Sequence, residues 1–346
     1  MMRYGKPSAS LLGHKQSFFS DNDRLLKEKL DICRLYTAQP RRARCKNCDD
    51  PLGAVSFVKH DVPYAVCGRC GHLNGMHEDS DAFCETAYTG EAEGAYAAGY
   101  RSADAAAYAR RVNDIYVPKA EFLRDAFLER KARPETLAYT DVGAGSGYFV
   151  AAMLKLGFGQ VTGYEVSRQQ VAFGNAAIGQ ARLVHHAMDD IVDIVAGLKS
   201  PVMSMIGVLE HVQMPREVLA AMRDNRNIRY FYFSVPLFSP SSFIEAAFPS
   251  VMPRQLTARH THLYTESSID WMCKEFGWVR RSEWWFGTDL VDLYRNMSVR
   301  LSQDAGTAGM VDQWQSMMLP LLDAMQLEAD RRHLSSEVHM LLEKPA

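Results

Sequence analysis

Three glycines at every second position follow a short β-type run near the middle of the chain. They are Gly143, Gly145 and Gly147, and the apolar stretch from residue 148 to about residue 156 predicts a helix directly after them. Glycine lets the backbone turn sharply and leaves no side chain between the backbone and a ligand. The N-terminus of the predicted helix points at the same place. This pattern predicts a site of the nucleotide-binding type.

The order of residues in this turn, Asp141-Val-Gly-Ala144-Gly-Ser-Gly, separates it from two phosphate-binding motifs. The last two glycines of the dinucleotide fingerprint are spaced more widely, and a P-loop ends in Lys followed by Ser or Thr. We therefore expect the ligand not to be held by its phosphates. Glu165 closes the next β-type run, where a carboxylate can accept hydrogen bonds from both ribose hydroxyls. A nicotinamide enzyme uses an acid in the same way, so Glu165 alone does not decide between ligands.

The cysteines form two Cys-x-x-Cys pairs. Cys45 and Cys48 make the first pair, Cys67 and Cys70 make the second, and their separation suits a four-thiolate zinc site. β-type runs at residues 54–58 and 64–66 indicate a zinc ribbon between the pairs. Such a site is structural, because four thiolates fill the tetrahedral positions of zinc. The alternative is two disulfides, which a cytosolic chain disfavours.

Histidines follow two further β-type runs. His211 comes directly after Glu210, and His260 and His262 come after the Pro- and Ser-rich residues 236–253. Imidazole is the natural proton acceptor near neutral pH. Alternating positions after a strand point to opposite faces, so we expect one of His260 and His262 to contact a substrate. His211 has the alternative role of a hydrogen bond to backbone at the strand end.

Length, composition and charge restrict the class of protein. The 346 residues allow one to three domains, and the hydrophobic fraction of 47% provides for a substantial core. A formal net charge of −2 argues against broad nucleic-acid binding. No stretch is long and apolar enough to cross a bilayer, and the first residues lack the apolar core of a secretion signal. The chain is therefore expected to be cytoplasmic, without membrane insertion.

The predicted elements place these residues in an α/β fold. Alternating strands and helices at βαβ spacing indicate a doubly wound, mostly parallel sheet of seven strands, the last two at residues 278–286 and 337–343. We expect a helical arm at residues 1–40, a zinc-ribbon-like module at 41–80, a helical linker or lid at 81–134 and the core at 135–346. Residues 288–333 form a helical insertion in that core. The linker contains Tyr96, Tyr100, Tyr108 and Tyr116, and such tyrosines are more often packing residues than ligands. Tyr100, Tyr108 or Tyr116 could alternatively cover a ligand.

The motifs together resemble those of the class I S-adenosylmethionine (SAM)-dependent methyltransferases. The turn from Asp141 to Gly147 looks like the first motif of this family, and Glu165 looks like its ribose-binding acid. Residues 206–212 look like its fourth-strand motif, and residues 234–236 look like the end of its fifth strand. The resemblance covers roughly residues 116–285.

The resemblance implies a set of residues around SAM. It implies that the turn lines the methionine part, that Glu165 holds the ribose, and that Val166 flanks the adenine. Many relatives place an Asp after the third strand to contact the adenine amino group, whereas here His186 holds that position. The residues that replace this contact stay open between the backbone amides of Ala187 and Met188 and the side chain of Asp189.

The resemblance also narrows the acceptor of the methyl group. A zinc ribbon ahead of a SAM core, followed by a His-rich segment, is similar to bacterial methyltransferases of nucleotide-linked deoxysugars and of surface-polysaccharide assembly. The sugar C-methyltransferases carry a Tyr-x-Glu-His grouping where this chain has residues 258–262, Ala-Arg-His-Thr-His. We therefore predict O-methylation of a sugar hydroxyl, with His260, His262 or His211 as the base.

Two alternatives belong to other classes. The basic residues 41–46, Arg-Arg-Ala-Arg-Cys-Lys, could let the zinc ribbon dock RNA, although a solvated loop explains them as well. The core could also be a SAM-binding scaffold without catalysis. The Asn/Asp-Pro-Pro-Tyr signature of many nucleic-acid amino-group methyltransferases is absent, which disfavours base methylation. The oligomeric state is left open.

Overall fold

The computed structural model describes residues 1–14, 17–89 and 104–345, and these contain two β-sheets. In chain order the strands are β1 (Met2–Tyr4), β2 (Phe57–Lys59), β3 (Val62–Val66), β4 (Leu73–Gly75), β5 (Ala138–Val142), β6 (Gln160–Glu165), β7 (Leu183–His185), β8 (Val202–Ile206), β9 (Tyr230–Pro236), β10 (His262–Leu263), β11 (Val279–Phe286) and β12 (Glu337–Glu343).

The α-helices are numbered in the same way along the described residues. They are α1 (Ala9–His14), α2 (Ser17–Ser20), α3 (Asn22–Thr37), α4 (Asp81–Cys84), α5 (Ala105–Arg111), α6 (Val117–Glu129), α7 (Tyr148–Lys155), α8 (Arg168–Ile178), α9 (Ile191–Gly197), α10 (Pro215–Asp224), α11 (Pro240–Ala247), α12 (Glu266–Phe276), α13 (Asp289–Ser302), α14 (Val311–Met318) and α15 (Leu322–Asp330).

The large sheet has the order β1-β11-β12-β9-β8-β5-β6-β7. Neighbouring strands from β9 to β7 run parallel, and β12 is antiparallel to both β9 and β11. The α/β fold class and the mostly parallel sheet are confirmed. Since the chain crosses to both sides of β5, the carboxyl ends of β5 and β8 form the crevice at which ligands bind in such sheets.

The expectation of seven strands was wrong, because β1 adds an eighth at the edge. Its three residues pair in parallel with β11, and the Trp284 indole N–H donates to the Gly5 carbonyl at 2.9 Å. A three-residue run has no alternation from which a strand can be inferred. Only its pairing partner, almost 300 positions away in the chain, identifies it as a strand.

The core lies on both faces of the large sheet. All seven residues of β9 are buried, as expected for a central strand covered on both sides. On one face α10 packs through Val218, Leu219 and Met222, which recur at helical spacing. On the other face α6 and α7 contribute Phe122, Phe127 and Phe149, among other side chains. Each such side chain stabilises the fold by about 1.5–3 kcal/mol through its removal from water.

The small sheet is antiparallel, in the order β10-β4-β3-β2. The two expected ribbon strands are present with shifted bounds, and β4 follows the second cysteine pair. Its fourth strand, β10, comes from the chain that follows β9, and His262 pairs with Asn74. The zinc-ribbon-like module is thus continued by a strand of the core region.

The helical segments agree in type with the expectation. The predicted insertion at residues 288–333 contains α13, α14 and α15, and the arm contains α1, α2 and α3. The linker contains α4 to α6 together with π-helical turns at Glu85–Thr89 and Val112–Tyr116. Tyr96 and Tyr100 lie outside the described residues. Across residues 1–14, 17–89 and 104–345, no helix combines the length and the apolar character needed to cross a bilayer.

Candidate active site and metal centre

The glycine-rich turn after β5 depends on two of its glycines for its shape. Gly143 has φ +74°, and a Cβ on it would lie 2.5 Å from a methyl group of Val208. Gly147 has φ +72° and begins α7. The amides of Gly143 and Ala144 both donate to the carbonyl of Tyr164 at 2.9 Å, which ties the turn to β6. Because Gly143 has no side chain, the backbone of the turn borders the adjacent space directly.

Glu165 ends β6 and supports the turn from the other side. The Gly145 amide donates to Glu165 Oε2 at 2.8 Å, and the Ser167 amide donates to Oε1 at 2.9 Å. A carboxylate oxygen can accept more than one hydrogen bond. The side chain is buried at the wall of a cavity, so Glu165 lies in a sheltered site.

Asp141 lies at the floor of the same site. Ser204 Oγ on the neighbouring strand β8 donates to Asp141 Oδ1 at 2.6 Å, and Asp141 is 2% exposed. Burial, together with the smaller effect of the nearby charge of Glu165, raises the pKa of Asp141 to about 7. Asp141 can therefore hold a proton close to neutral pH.

A cavity of about 470 Å³ opens at the carboxyl ends of β5, β6 and β8. Its wall contains most of the residues expected around SAM, namely Asp141, Gly143, Ala144, Gly145, Glu165, Val166, Met188 and Asp189. Among the described residues, Gly147 and Ala187 lie outside this wall. Gly147 instead makes room for Ile178 and Leu183, which approach within 2.9–3.0 Å of where its Cβ would be.

His186 also reaches the wall of this cavity, between β7 and the turn that carries Met188. Its Nδ1 donates to the Ala187 carbonyl at 2.7 Å, and burial lowers the pKa of the imidazole. The ring is therefore uncharged at neutral pH. Asp189 is exposed and lines the same cavity, so two of the three residues that remained open for the adenine, Met188 and Asp189, are in its wall with His186.

Sequence reasoning missed several residues of this wall. Gln170 accepts a hydrogen bond from Ser146 Oγ at 3.2 Å, and Gln213 donates to the Asp81 carboxylate at 3.0 Å. Ser146, Gln170, Gln213 and Asp81 all line the cavity. A sequence signal for Gln213 existed, since it directly follows the fourth-strand motif. Asp81 follows the zinc-ribbon-like module, and no local signal connects it with the site.

A second cavity of about 280 Å³ adjoins the first. Both cavities are lined by Tyr116, Ile206, Gly207 and His211. This shared wall lies at the carboxyl end of β8. A ligand in one cavity can therefore meet a ligand in the other at this point.

The second cavity is lined by four cationic side chains: Lys6, Arg111, Lys119 and Arg254. Lys119 pairs with Glu337 at 3.2 Å, and Arg254 pairs with Asp292 at 3.1 Å. Burial, followed by the charge of Lys119, lowers the pKa of Lys6 to about 8. An anionic group that entered here would find cations that are already held in place.

Two of the candidate histidines lie close to Glu210. His211 lines both cavities at their shared wall, and His260 lines the second cavity. The ligand atoms of Glu210, His211 and His260 all lie within 4.8 Å of one another. His211 Nδ1 donates to the Arg259 carbonyl and His260 Nδ1 donates to the Gln255 carbonyl, both at 3.0 Å. Burial lowers the pKa of His211 to about 4 and lowers that of His260 further, whereas it raises the pKa of Glu210 to about 8. Both imidazoles are therefore uncharged at neutral pH.

The structure places His262 elsewhere, so its expected role as the base does not fit. His262 is fully buried in the small sheet, and its Nδ1 lies 2.7 Å from His72 Nε2. Among the described residues, it does not line either cavity. The alternation along the chain explains this, because His260 and His262 point to opposite sides.

Tyrosines of the linker cover the glycine-rich turn. Tyr108 stacks on Tyr148 at 4.7 Å and donates to the Ser146 carbonyl at 3.1 Å. Tyr116 stacks on the other side of Tyr148 at 5.3 Å and reaches both cavities. The expected covering role thus has a structural basis for Tyr108 and Tyr116.

The four paired cysteines converge on one point. Cys45 Sγ lies 3.7 Å from Cys70 Sγ, Cys48 Sγ lies 3.5 Å from Cys67 Sγ, and all four thiols are buried. Tetrahedral zinc with bonds of about 2.3 Å needs sulfur atoms ~3.8 Å apart. These distances fit one zinc ion and exceed a disulfide bond of about 2.05 Å.

Each Cys-x-x-Cys turn closes on a residue with positive φ. Gly71 serves the second turn, with φ +73°, and donates to the Cys67 carbonyl. Asp49 serves the first turn in the same way, with φ +60° and a bond to the Cys45 carbonyl. Gly68, inside the second pair, is not among the glycines of positive φ. The four cysteines therefore lie on two matching turns, of which one closes on a glycine and the other on an aspartate.

Comparisons with known proteins agree with this geometry. A family model described as a methyltransferase domain matches residues 109–283. Among solved structures, the chain is similar to magnesium protoporphyrin IX methyltransferase from Synechocystis PCC 6803, with 10% identity, a TM-score of 0.44 and coverage of 75% of this chain and 97% of that chain. It is also similar to geranyl diphosphate C-methyltransferase from Streptomyces coelicolor A3(2), with 13% identity, a TM-score of 0.43 and coverage of 71% and 86%.

None of the curated proteins matches the chain. The family model covers more than half of the 346 residues, and it includes the glycine-rich turn, Glu165 and the shared wall of the two cavities. The chain therefore belongs to the methyltransferase-domain family and is a SAM-dependent methyltransferase.

Proposed function

We propose that this enzyme transfers a methyl group from SAM to a hydroxyl of a sugar or nucleotide-linked sugar in surface-polysaccharide or secondary metabolism. The observation that best supports this proposal is the wall that the two cavities share at the end of β8. SAM would occupy the larger cavity, and the acceptor would occupy the second. Methyl transfer is an in-line displacement, so it requires two ligand sites that meet at one point.

The larger cavity provides the groups that SAM needs. Glu165 would accept hydrogen bonds from the ribose hydroxyls, and the backbone at Gly143 and Gly145 would lie against the methionine part. Val166, Met188 and His186 would surround the adenine, with Asp189 at its edge. SAM supplies an activated methyl group and a neutral sulfide leaving group when bound.

The second cavity favours a polar acceptor that carries negative charge. Lys6, Arg111, Lys119 and Arg254 would attract a phosphate or diphosphate, as in a nucleotide-linked sugar. A bound anion would most strongly stabilise the charged form of Lys6, because burial lowers the pKa of this side chain to about 8. A volume of about 280 Å³ suits the sugar end of such a molecule rather than the whole of it.

The acceptor hydroxyl must lose its proton as its oxygen attacks the methyl carbon. His211 lines both cavities and His260 lines the second, so either imidazole is placed to receive that proton. The carbon–sulfur bond of SAM breaks with its electron pair on sulfur, and the proton leaves with the base. A positioned base contributes typically 10²–10⁴-fold to the rate.

The four cysteines would hold a structural zinc ion, since the sulfur positions fit and no ligand position is left for water. The thiolates would remain reduced in a cytoplasmic location, which is part of the proposal. The zinc-ribbon-like module is then a folding unit, and Asp81, which directly follows it, lines the larger cavity.

An RNA acceptor is the second candidate, and the contacts made by the basic residues 41–46 argue against it. Arg42 and Lys46 are buried and pair with Asp79, and Arg44 pairs with Asp49 at 2.8 Å. Arg42 and Lys46 are therefore engaged inside the protein, and the exposed Arg44 is paired with a carboxylate, so this run offers little charge to a phosphate backbone. C-methylation of a sugar is the third candidate, and a scaffold without catalysis is the fourth.

The test is transfer of labelled methyl groups from SAM to a panel of nucleotide-linked sugars, free sugars and structured RNA. Transfer to a nucleotide-linked sugar, with the label on oxygen by mass spectrometry, supports the proposal. Label on carbon would show that the reaction is C-methylation and not O-methylation. Label only in RNA would overturn the choice of acceptor. His211→Ala and His260→Ala should each lower turnover while SAM affinity stays within about threefold, and His262→Ala should act on stability instead.

A further inference from the structure

We propose that Glu210, His211 and His260 form a binding site for one divalent transition-metal cation in the wall of the acceptor cavity. This inference rests on the proposed function and deepens it, because the cation would hold the acceptor oxygen. It concerns a site separate from the four cysteines. The three ligands come from two regions, the turn after β8 and the segment between α11 and β10.

The distances suit one cation. The three ligand atoms lie within 4.8 Å of one another, and His211 Nε2 lies 3.9 Å from Glu210 Oε1. Two ligands at about 2.1 Å from a common ion are ~3.0 Å apart when adjacent and ~4.2 Å apart when opposite. Side-chain adjustments on the order of an ångström would bring the three ligands to one ion.

The two imidazoles are oriented by backbone carbonyls, as in known metal sites. His211 Nδ1 donates to the Arg259 carbonyl, and His260 Nδ1 donates to the Gln255 carbonyl. A carbonyl can only accept, so each neutral ring carries its proton on Nδ1 and its lone pair on Nε2. Metal-binding histidines almost always show this arrangement, in which the second nitrogen is fixed by a backbone or carboxylate acceptor.

Glu210 gives an independent observation. Its side chain is 4% exposed, and its Oε2 has no hydrogen-bond partner among the residues that the structure describes. A buried polar atom without a partner costs about 1–3 kcal/mol, and more when it carries a charge. A cation beside Glu210 would satisfy that oxygen and remove the cost.

The surroundings allow a cation in spite of the basic side chains nearby. Lys119 and Arg254 are each paired with a carboxylate, which reduces their repulsion at the cluster. Two imidazoles with one carboxylate select transition metals such as Mn²⁺, Fe²⁺, Co²⁺ or Zn²⁺ over Mg²⁺ and Ca²⁺. Three protein ligands leave positions open for the acceptor.

The open positions define the role of the cation. An acceptor hydroxyl bound there would become more acidic and would lose its proton to solvent water in the cavity. The resulting alkoxide would attack the methyl carbon as the carbon–sulfur bond breaks onto sulfur. With the cation bound, His211 and His260 would act as its ligands, and water would take the role of proton acceptor that either imidazole has without the metal.

The experiment is a titration of the full-length protein with Mn²⁺, followed through the electron paramagnetic resonance signal of free Mn²⁺. Mn²⁺ is chosen because it is a poor competitor for a four-thiolate zinc site. Wild type should bind one Mn²⁺ per chain, or should already hold one transition-metal ion beyond the zinc by elemental analysis. Glu210→Gln should weaken Mn²⁺ binding at least tenfold, or lose that extra ion, with its zinc content and SAM affinity unchanged.

His14→Asn is the matched control, because His14 also lies 3.0 Å from a carboxylate, that of Asp114, but at the surface. It should bind Mn²⁺ as wild type does. Equal Mn²⁺ binding in wild type and Glu210→Gln, or no metal beyond the zinc in either, would overturn the inference. If methyl transfer still occurs in that case, the proposed function holds without the metal site. If Mn²⁺ binds but no acceptor is methylated, the metal site holds and the proposed function is wrong.

Discussion

Glu165 and Asp141 show how two buried acids of one site acquire different properties. Glu165 accepts two backbone amide hydrogens, from Gly145 and Ser167. Burial raises the pKa of Asp141 to about 7, although the hydroxyl hydrogen that it accepts from Ser204 opposes this rise. The first acid is suited to hold ribose hydroxyls. The second tends to remain protonated in the floor of the cavity.

We expect Glu165→Ala to weaken SAM binding by about 2–4 kcal/mol, which is tens- to several-hundredfold. The variant loses the ribose acceptors and also releases the Gly145 amide that shapes the turn. Isothermal titration calorimetry measures the effect, with Asp193→Ala as a control at an exposed acid on the first turn of α9. Unchanged affinity in Glu165→Ala would contradict the placement of SAM.

The raised pKa of Asp141 predicts a pH-dependent stability. Between the unfolded pKa near 3.8 and the folded pKa of about 7, the folded protein holds a proton that the unfolded chain releases. The stability contribution of Asp141 is therefore present at low pH and is lost as the pH rises through 7, by up to about 1.4 kcal/mol per pH unit.

Asp141→Asn removes this titration. The free energy of unfolding is measured with urea for both proteins. The value for the variant minus the value for wild type should rise by about 1–2 kcal/mol from pH 5.5 to pH 7. The comparison between the two proteins cancels any loss of zinc at low pH. A difference that does not change with pH would show that Asp141 is ionised in the folded protein.

At the scale of elements, two cysteine turns and a small sheet make one metal-dependent unit. The sheet has only four short strands, and its apolar contacts are shared with α3, α4 and the segment before β10. Such a small unit needs an added constraint to be stable. A zinc ion that joins Cys45, Cys48, Cys67 and Cys70 would supply it, because metal binding to the folded form is folding free energy.

We therefore expect one zinc per chain, and we expect Cys67→Ser to lose it together with several kcal/mol of stability. Elemental analysis and thermal unfolding measure the two effects. Cys273→Ser is the control, since Cys273 is also buried but lies on α12 in the core of the large sheet. Full zinc content in Cys67→Ser would rule out the four-thiolate site.

At the scale of the whole molecule, the zinc-ribbon-like module is joined to the methyltransferase core by buried polar contacts. Lys46, next to Cys45, donates to the Val212 carbonyl at 2.8 Å and pairs with Asp79. Val212 lines the SAM cavity. The module also receives β10 from the core, and Asn47 donates to the Ser268 carbonyl at 2.9 Å. These contacts connect the metal centre with the cofactor site.

We predict that Lys46→Met weakens SAM binding about three- to thirtyfold, although Lys46 is not in the cavity wall, since loss of the bond to Val212 frees one side of the cavity. Calorimetry measures the affinity, and elemental analysis checks that zinc is retained. Lys274→Met on the exposed side of α12 is the control. SAM affinity equal to that of wild type in Lys46→Met would mean that the module and the core act independently.

The sequence by itself determined the class of the fold, and it predicts the residues of the glycine-rich turn and the metal ligands. Local signals carry these features, because glycine spacing, strand-terminal acids and Cys-x-x-Cys pairs report the backbone and the chemistry within a few residues. Gly143 and Glu165 accordingly line one cavity, and the four cysteines lie together. The bounds of β6 and β12 also agree with the predicted runs.

Contacts between residues far apart in the chain were decided only by the tertiary structure. It separated His260 from His262, brought Glu210 and His211 to His260, and placed the linker residue Tyr116 at the wall of both cavities. It also added β1 to the large sheet and β10 to the small one. The physical reason is that such contacts depend on which buried surfaces pack together, and a short segment carries no record of its distant partner.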